Sequence, residues 1–414
     1  MVKLSNFGEQ LTNNASIVDL MDDLGQALNV NPDLLFLGGG NPGHIPEFET
    51  EIAKQLSDIA NTPEALHKLI GIYQSPQGSE TLIKLLVDYF NQRFDWGISE
   101  KNIAITNGSQ SAFFILINML AGPSKQGHKH FLFPLVPEYL GYSDQALGSE
   151  YFVGCLPKIE KIGEDEFKYH IDFDNLNITD LTSAICVSRP TNPSGNVISD
   201  DEVQRLNELA QQNNVPLIID CAYGAPFPNI VYQDVNNIWN ENIINVFSLS
   251  KLGLPAVRTG IVVANENIIN KIVNINTVMS LANGNFGPEL MSRIIEQNKL
   301  EYLCDKVIKP FYNQKRDYLI AQIRQKMKGI NYRFHQAEGA FFLWIWFEGL
   351  SVTSTELYNQ LKQKGVLVMD GKPFFFATDA IWEHQNQCLR LSYCQSEDVL
   401  SQAVDIISET VSSL

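Results

Sequence analysis

Six short runs of this chain are apolar on both faces: Ile103-Ala-Ile-Thr106, Phe131-Leu-Phe-Pro134, Ala184-Ile-Cys-Val-Ser188, Leu217-Ile-Ile-Asp220, Asn245-Val-Phe-Ser248 and Gly260-Ile-Val-Val-Ala264. None alternates apolar with polar, so neither face can look out on water. That pattern belongs to buried strands of a mostly parallel sheet. Helical patterns fill the intervals. In the clearest, over 199–213, Ser199 and Glu202 have capping-box spacing and Val203, Leu206 and Leu209 form a stripe. Strand–helix–strand alternation predicts an α/β fold with ligand sites at the carboxyl ends of the strands.

The chain's 414 residues exceed the usual size of one domain. Its last third changes character. A long helical stretch near 301–328 precedes strand-like runs over 338–346, 365–369 and 389–393, then a helix over about 396–411. The organisation expected is an N-terminal arm that also completes the smaller domain (1–48), a large domain (49–305) and a small α+β domain (306–414).

Charge and cysteine usage narrow the partners. A net charge of −17 argues against nucleic acid and anionic membrane. The run Ala112-Phe-Phe-Ile-Leu-Ile is broken by Asn118 and is too short to span a bilayer. The six cysteines form no C-x-x-C pair and no cluster with His, so reduced thiols and no metal are expected. The opening Met1-Val-Lys-Leu-Ser-Asn has no apolar core of a signal peptide, and a cytoplasmic protein is expected.

The strand ends carry chemistry. After Thr106 comes Asn107-Gly108-Ser109-Gln110 and then a helix, a turn whose free N–H groups and Ser109 hydroxyl can hold a phosphate. Arg258 can add a permanent, forked cation, and Ser248 and Ser250 more hydroxyls. Lys251 closes the run Ser248-Leu-Ser-Lys251 with an amine that can condense with an aldehyde. Asp220 can keep a pyridine nitrogen protonated by charge pairing. Tyr223 and Asn192 can hydrogen-bond a phenolic oxygen, and Tyr139 can stack on a ring face, with Tyr142 as the alternative. An amine, a carboxylate, a phenol and an amide of this kind suggest pyridoxal 5'-phosphate (PLP), with Lys251, Asp220 and Tyr223 doing the chemistry.

The spacing of Asn192, Asp220, Tyr223 and Lys251 (28, 3 and 28 residues) resembles that of the class I/II aminotransferases of PLP fold type I. So do Leu37-Gly-Gly-Gly40-Asn-Pro42, Tyr73-Gln-Ser-Pro-Gln-Gly78 and Leu389-Arg390-Leu-Ser. The resemblance covers nearly the whole chain. It implies a mostly parallel seven-stranded sheet flanked by helices, and a homodimer in which Tyr73 reaches the other subunit's phosphate. It also implies substrate binding by Arg390, Asn192 and the turn around Gly39, and cis peptides before Pro137 and Pro193. Within that family, Phe133-Pro-Leu-Val-Pro-Glu-Tyr139-Leu-Gly-Tyr142 and Ser250-Lys-Leu-Gly-Leu-Pro255 look like the valine–pyruvate aminotransferases. That narrower likeness implies exchange of an amino group between an amino acid and a 2-oxo acid, valine and pyruvate, with residues near Ile17–Leu20 helping to line an apolar side-chain pocket. A PLP-dependent carbon–sulfur β-lyase, another aliphatic aminotransferase and a PLP-sensing regulatory domain are the alternatives.

Overall fold

The computed structural model of the protein describes residues 3–13, 25, 31, 33–378 and 380–414. The segment Ile17–Leu20 lies outside them. Strand β1 (Leu35–Phe36) belongs to the smaller lobe. The central sheet is built from β2 (Ile103–Thr106), β3 (Gly122–Ser124), β4 (Gly127–Phe133), β5 (Phe152–Gly154), β8 (Thr182–Ser188), β9 (Leu217–Asp220), β10 (Ile243–Ser248) and β11 (Gly260–Val263). Their order is β2-β11-β10-β9-β8-β4-β3, with β5 sharing the outer edge of β4. Pairing is parallel from β10 through to β5, and antiparallel around β11 and in the β3–β4 hairpin. The result is a mixed sheet of the fold type I kind. Every residue of β2, β9, β10 and β11 is buried, as strands covered on both faces require.

The crossover helix Asp200–Gln212 shows how local sequence and packing agree. Ser199 Oγ accepts from the Glu202 N–H, and Glu202 reaches back to the Ser199 N–H. Val203, Leu206 and Ala210 then face the sheet, fully buried. Because parallel strands point the same way, Thr106, Phe133, Ser188, Asp220 and Ser248 end along one edge, where the loops converge.

A second sheet lies beside it. It joins β6 (Lys158–Ile162), β7 (Glu166–His170), β12 (Arg333–His335), β13 (Phe342–Trp346), β15 (Met369–Asp370) and β16 (Cys388–Ser392) in the order β15-β16-β13-β12-β7-β6. The β6–β7 hairpin falls within 49–305 but hydrogen-bonds to this C-terminal sheet through β12. Its charged, half-exposed outer strand could not sit inside the buried central sheet. Strand β1 pairs in parallel with β14 (Val366–Leu367).

Helices Lys309–Lys326 and Glu397–Ser412 pack on one another. The first is preceded by one wide turn over Leu303–Ile308, just before Pro310, whose missing N–H interrupts the regular ladder. Among the described residues no helix is long and apolar enough to cross a membrane. Nor do three or more His, Cys, Asp or Glu side chains there gather to hold a metal. All six cysteines are free thiols.

Candidate active site

The converging strand ends enclose one cleft, and its walls carry Ser109, Gln110, Tyr139, Asn192, Asp220, Tyr223, Ser248, Ser250, Lys251 and Arg258. Residues scattered over 150 positions of sequence are thus brought together. Ser188, Pro190 and Ala222 also line the cleft, and no sequence pattern singles them out.

At one end is an anion cradle. The helix Ser109–Leu120 starts three residues before the apolar run that begins at Ala112, and Gly108 is its N-cap. Gly108 has no side chain to cap the helix, so the first-turn N–H groups have no cap partner, and first-turn Ser109 and Gln110 line the cleft. The Gly108 φ of 89° suits glycine, and a Cβ there would fall 2.3 Å from Arg258 Nη2. Arg258 Nη1 donates to Ser250 Oγ (3.4 Å) and to the Pro255 carbonyl (3.1 Å), which hold the guanidinium against the turn. Gly108→Ala is therefore expected to weaken PLP binding about 10- to 100-fold, the cost of strain plus a displaced cation. Absorbance titration of the apoprotein measures it, and an unchanged Kd would remove the cradle from the argument.

At the other end is a buried carboxylate. Asp220 closes β9, with Oδ1 accepting from the Ala222 N–H (2.9 Å) and Oδ2 from Tyr142 Oη (2.5 Å). Burial pushes its pKa up to about 6, against the lowering effect of the Tyr142 hydrogen bond. Tyr142, the alternative ring partner, is thus engaged with Asp220. Tyr139 lines the cleft and meets Tyr142 edge-on, with centroids 5.2 Å apart.

Lys251 lies between these ends. Its Nζ donates to the Gly40 carbonyl (2.6 Å) and sits 5.4 Å from the Tyr223 ring centroid and 5.5 Å from that of Phe341. Burial pushes its pKa down to about 8, toward the free amine that nucleophilic and basic work requires. Arg390, inside β16, is buried, with Nη1 donating to Asn192 Oδ1 (2.6 Å) and Nη2 to the Gly38 carbonyl (2.8 Å). Asn192 therefore turns its carbonyl to Arg390 and keeps its amide N–H groups for the cleft.

The remaining site residues stand apart. Gly39 lines an adjoining cavity with Phe36 and Pro42, while its neighbours Gly38 and Gly40 touch Arg390 and Lys251. Tyr73 is 83% exposed and does not reach the cleft of its own chain. The peptide before Pro137 is cis, but the one before Pro193 is not; Arg189–Pro190 is cis instead. Around Pro193 the chain reverses through a turn closed by the Gly195 N–H on the Thr191 carbonyl (2.8 Å), with Gly195 at φ 70°.

An anion cradle, a buried acid and an amine on the walls of one cleft fit one group, a phosphorylated pyridine aldehyde. The fold and this donor set define a PLP-dependent enzyme of fold type I. Residues 45–407 match the family model described as aminotransferase class I and II, and the chain belongs to that family. It is 45% identical over 408 residues to the valine–pyruvate aminotransferase of Escherichia coli (strain K12), covering 98% of this chain and 97% of that protein. The crystal structure of the Salmonella typhimurium LT2 valine–pyruvate aminotransferase superposes with a TM-score of 0.89 at 44% identity, over 96% of this chain and 98% of that one. That of a putative amino-acid aminotransferase from Psychrobacter arcticum 273-4 gives 0.97 at 38% identity, over 100% and 99%.

Proposed function

We propose that the protein moves an amino group between L-valine and pyruvate, giving 3-methyl-2-oxobutanoate and L-alanine in two half-reactions. When bound, PLP supplies an aldehyde that carries the amino group and a pyridinium that withdraws electrons from the reacting carbon. Asp220 would hold the proton on the pyridine nitrogen, and Tyr223 and the Asn192 amide would donate to the ring's phenolic oxygen. Arg390 would fix the substrate α-carboxylate and so set the α-hydrogen toward Lys251. Lys251 would take that proton as a free amine and return it later in the half-reaction.

The observation that carries the substrate class is the tally of cations. Among the described residues at the cleft they are Arg258 at the cradle, Lys251 at the centre and Arg390 at the wall. Each has a task, and among the described residues lining this cleft none is left over for a side-chain carboxylate, which favours apolar amino acids over aspartate or glutamate. The likeness to valine–pyruvate enzymes over nearly the full chain supports valine within that class. An amino-donor screen with pyruvate as acceptor tests this. Valine is expected to exceed aspartate in kcat/KM by about 10- to 100-fold or more. Aspartate as the better donor would overturn the substrate assignment, and release of ammonia and pyruvate from cystathionine would favour a β-lyase.

The same reading includes a cytoplasmic homodimer and lobes divided near residues 48 and 305. Tyr73 belongs to an exposed apolar group with Ile70, Ile72, Val278, Leu281 and Phe286. Asn285 Nδ2 ties the two segments together through the Lys68 carbonyl (3.4 Å). Burial of such a patch against a second copy would bring Tyr73 to that copy's phosphate cradle. Sedimentation of the holoenzyme should give twice the chain mass, and a monomer active at all dilutions would exclude the arrangement.

A further inference from the structure

The polar interior of the site continues beyond Asp220. Glu138 follows the cis-linked Pro137 and is 2% exposed. Its Oε1 accepts from the Ser188 N–H (2.8 Å) and its Oε2 from the Tyr139 N–H (3.0 Å). Ser188 Oγ lies 2.7 Å from Oε2 and 3.2 Å from Tyr142 Oη, which in turn lies 2.5 Å from Asp220 Oδ2. Three contacts thus run from Glu138 to Asp220 through two hydroxyls. Ser188 and Asp220 are directly paired across β8 and β9, so the alignment is set by the sheet register.

Two hydroxyl protons cannot fill three links. Were both carboxylates ionised, Tyr142 would donate to Asp220 and Ser188 to Glu138. The Tyr142 and Ser188 oxygens would then face each other at 3.2 Å, buried, with no proton between them. One more proton, on Glu138, completes the chain. Glu138 donates to Ser188, Ser188 to Tyr142, and Tyr142 to Asp220, and the negative charge stays on the carboxylate that faces the cleft.

We propose that Glu138 is a neutral carboxylic acid whose proton turns the Ser188 hydroxyl to donate to Tyr142, while Tyr142 donates to Asp220. It is a positioning residue, acting on Asp220 through two hydroxyls. The inference rests on the family assignment and not on the choice of valine. The titratable groups around it agree. Burial pushes Glu138 up to about 8, and the charge of Asp220 adds to that, whereas Asp220 itself rises only to about 6. Burial also keeps Tyr142 and the nearby Cys186 thiol protonated, both well above their usual range. Of the two acids, Glu138 therefore retains the proton at neutral pH.

Infrared spectroscopy of the apoprotein near neutral pH tests this without any turnover. The wild type should show the carbonyl stretch of a buried protonated carboxyl, sensitive to D2O, and Glu138→Gln should lack it. Glutamine keeps an N–H to offer Ser188 but loses the bond from the Tyr139 N–H, so its Kd for PLP should stay closer to wild type than that of a variant with no donor. Glu138→Leu, which offers none, should weaken PLP at least about 10-fold. If the leucine variant does not fold, Ser188→Ala breaks the same chain and should weaken PLP in the same direction. A wild-type spectrum without the band, or a Gln variant as impaired as the Leu one, would overturn the proposal.

Discussion

Lys251→Ala is expected to keep PLP but to lose amino transfer by about 10²- to 10⁴-fold, the range spanned by removal of an essential general base. The cofactor stays because its phosphate and ring contacts lie elsewhere, at the Gly108–Ser109 turn, Arg258 and Asp220. Transfer is lost because nothing else in the cleft can take the proton. Asp220 is occupied by Tyr142 and the Ala222 N–H, at the ring's far end. Burial raises the pKa of Tyr139 and of Tyr223, so neither phenol is a base near neutrality. Lys251 is pushed the other way, down to about 8. The variant should bind PLP with the absorbance of a free aldehyde, resist covalent fixing by borohydride, and show no spectral change with valine on the time scale of a wild-type half-reaction. Wild-type turnover in this variant would defeat the assignment of Lys251.

How much of this was legible in the sequence follows from where each residue sits. Asp220, Lys251 and Asn192 stand at or just after the ends of both-face-apolar strands, where a polar residue breaks a pattern and so shows itself. Arg390 lies inside a strand between two buried leucines, and pattern alone gives it no task; only the family resemblance pointed to it. Tyr142, Ser188 and Glu138 were not legible as a set. Their bonds span 46 to 78 residues and depend on the register of β8 with β9, which no local window carries. The β6–β7 hairpin was hidden for the same reason. Its place in the chain suggests the large lobe, but its partner strand β12 lies some 160 residues further on. Tyr73 is a different case, because its proposed task requires a second copy and a single chain leaves it in water.

Arg390→Lys is expected to lower kcat/KM for valine and for alanine alike by about 10²- to 10³-fold, with little change in PLP affinity. The guanidinium holds two partners in one rigid plane and keeps a donor in reserve, which one ammonium cannot do. Nη1 anchors Asn192, Nη2 anchors the Gly38 turn, and among the described residues Nε finds no partner. The fork is therefore held in place with donor capacity to spare beside the cleft, as a binder of planar carboxylates must be. Its carbon lies 4.0 Å from the centroid of the Phe342 ring and 5.3 Å from that of Phe374, and burial pushes its pKa down to about 10. A substrate carboxylate entering beside these rings gives up water, and loss of its forked partner costs about 3–4 kcal/mol, equivalent to that fold-change. Because both donors carry the same α-carboxylate, the penalty should be equal for the two in single-turnover assays. A loss confined to valine would instead place Arg390 at the side-chain pocket, and loss of PLP binding would place it at the cofactor; either result would remove it from the carboxylate site.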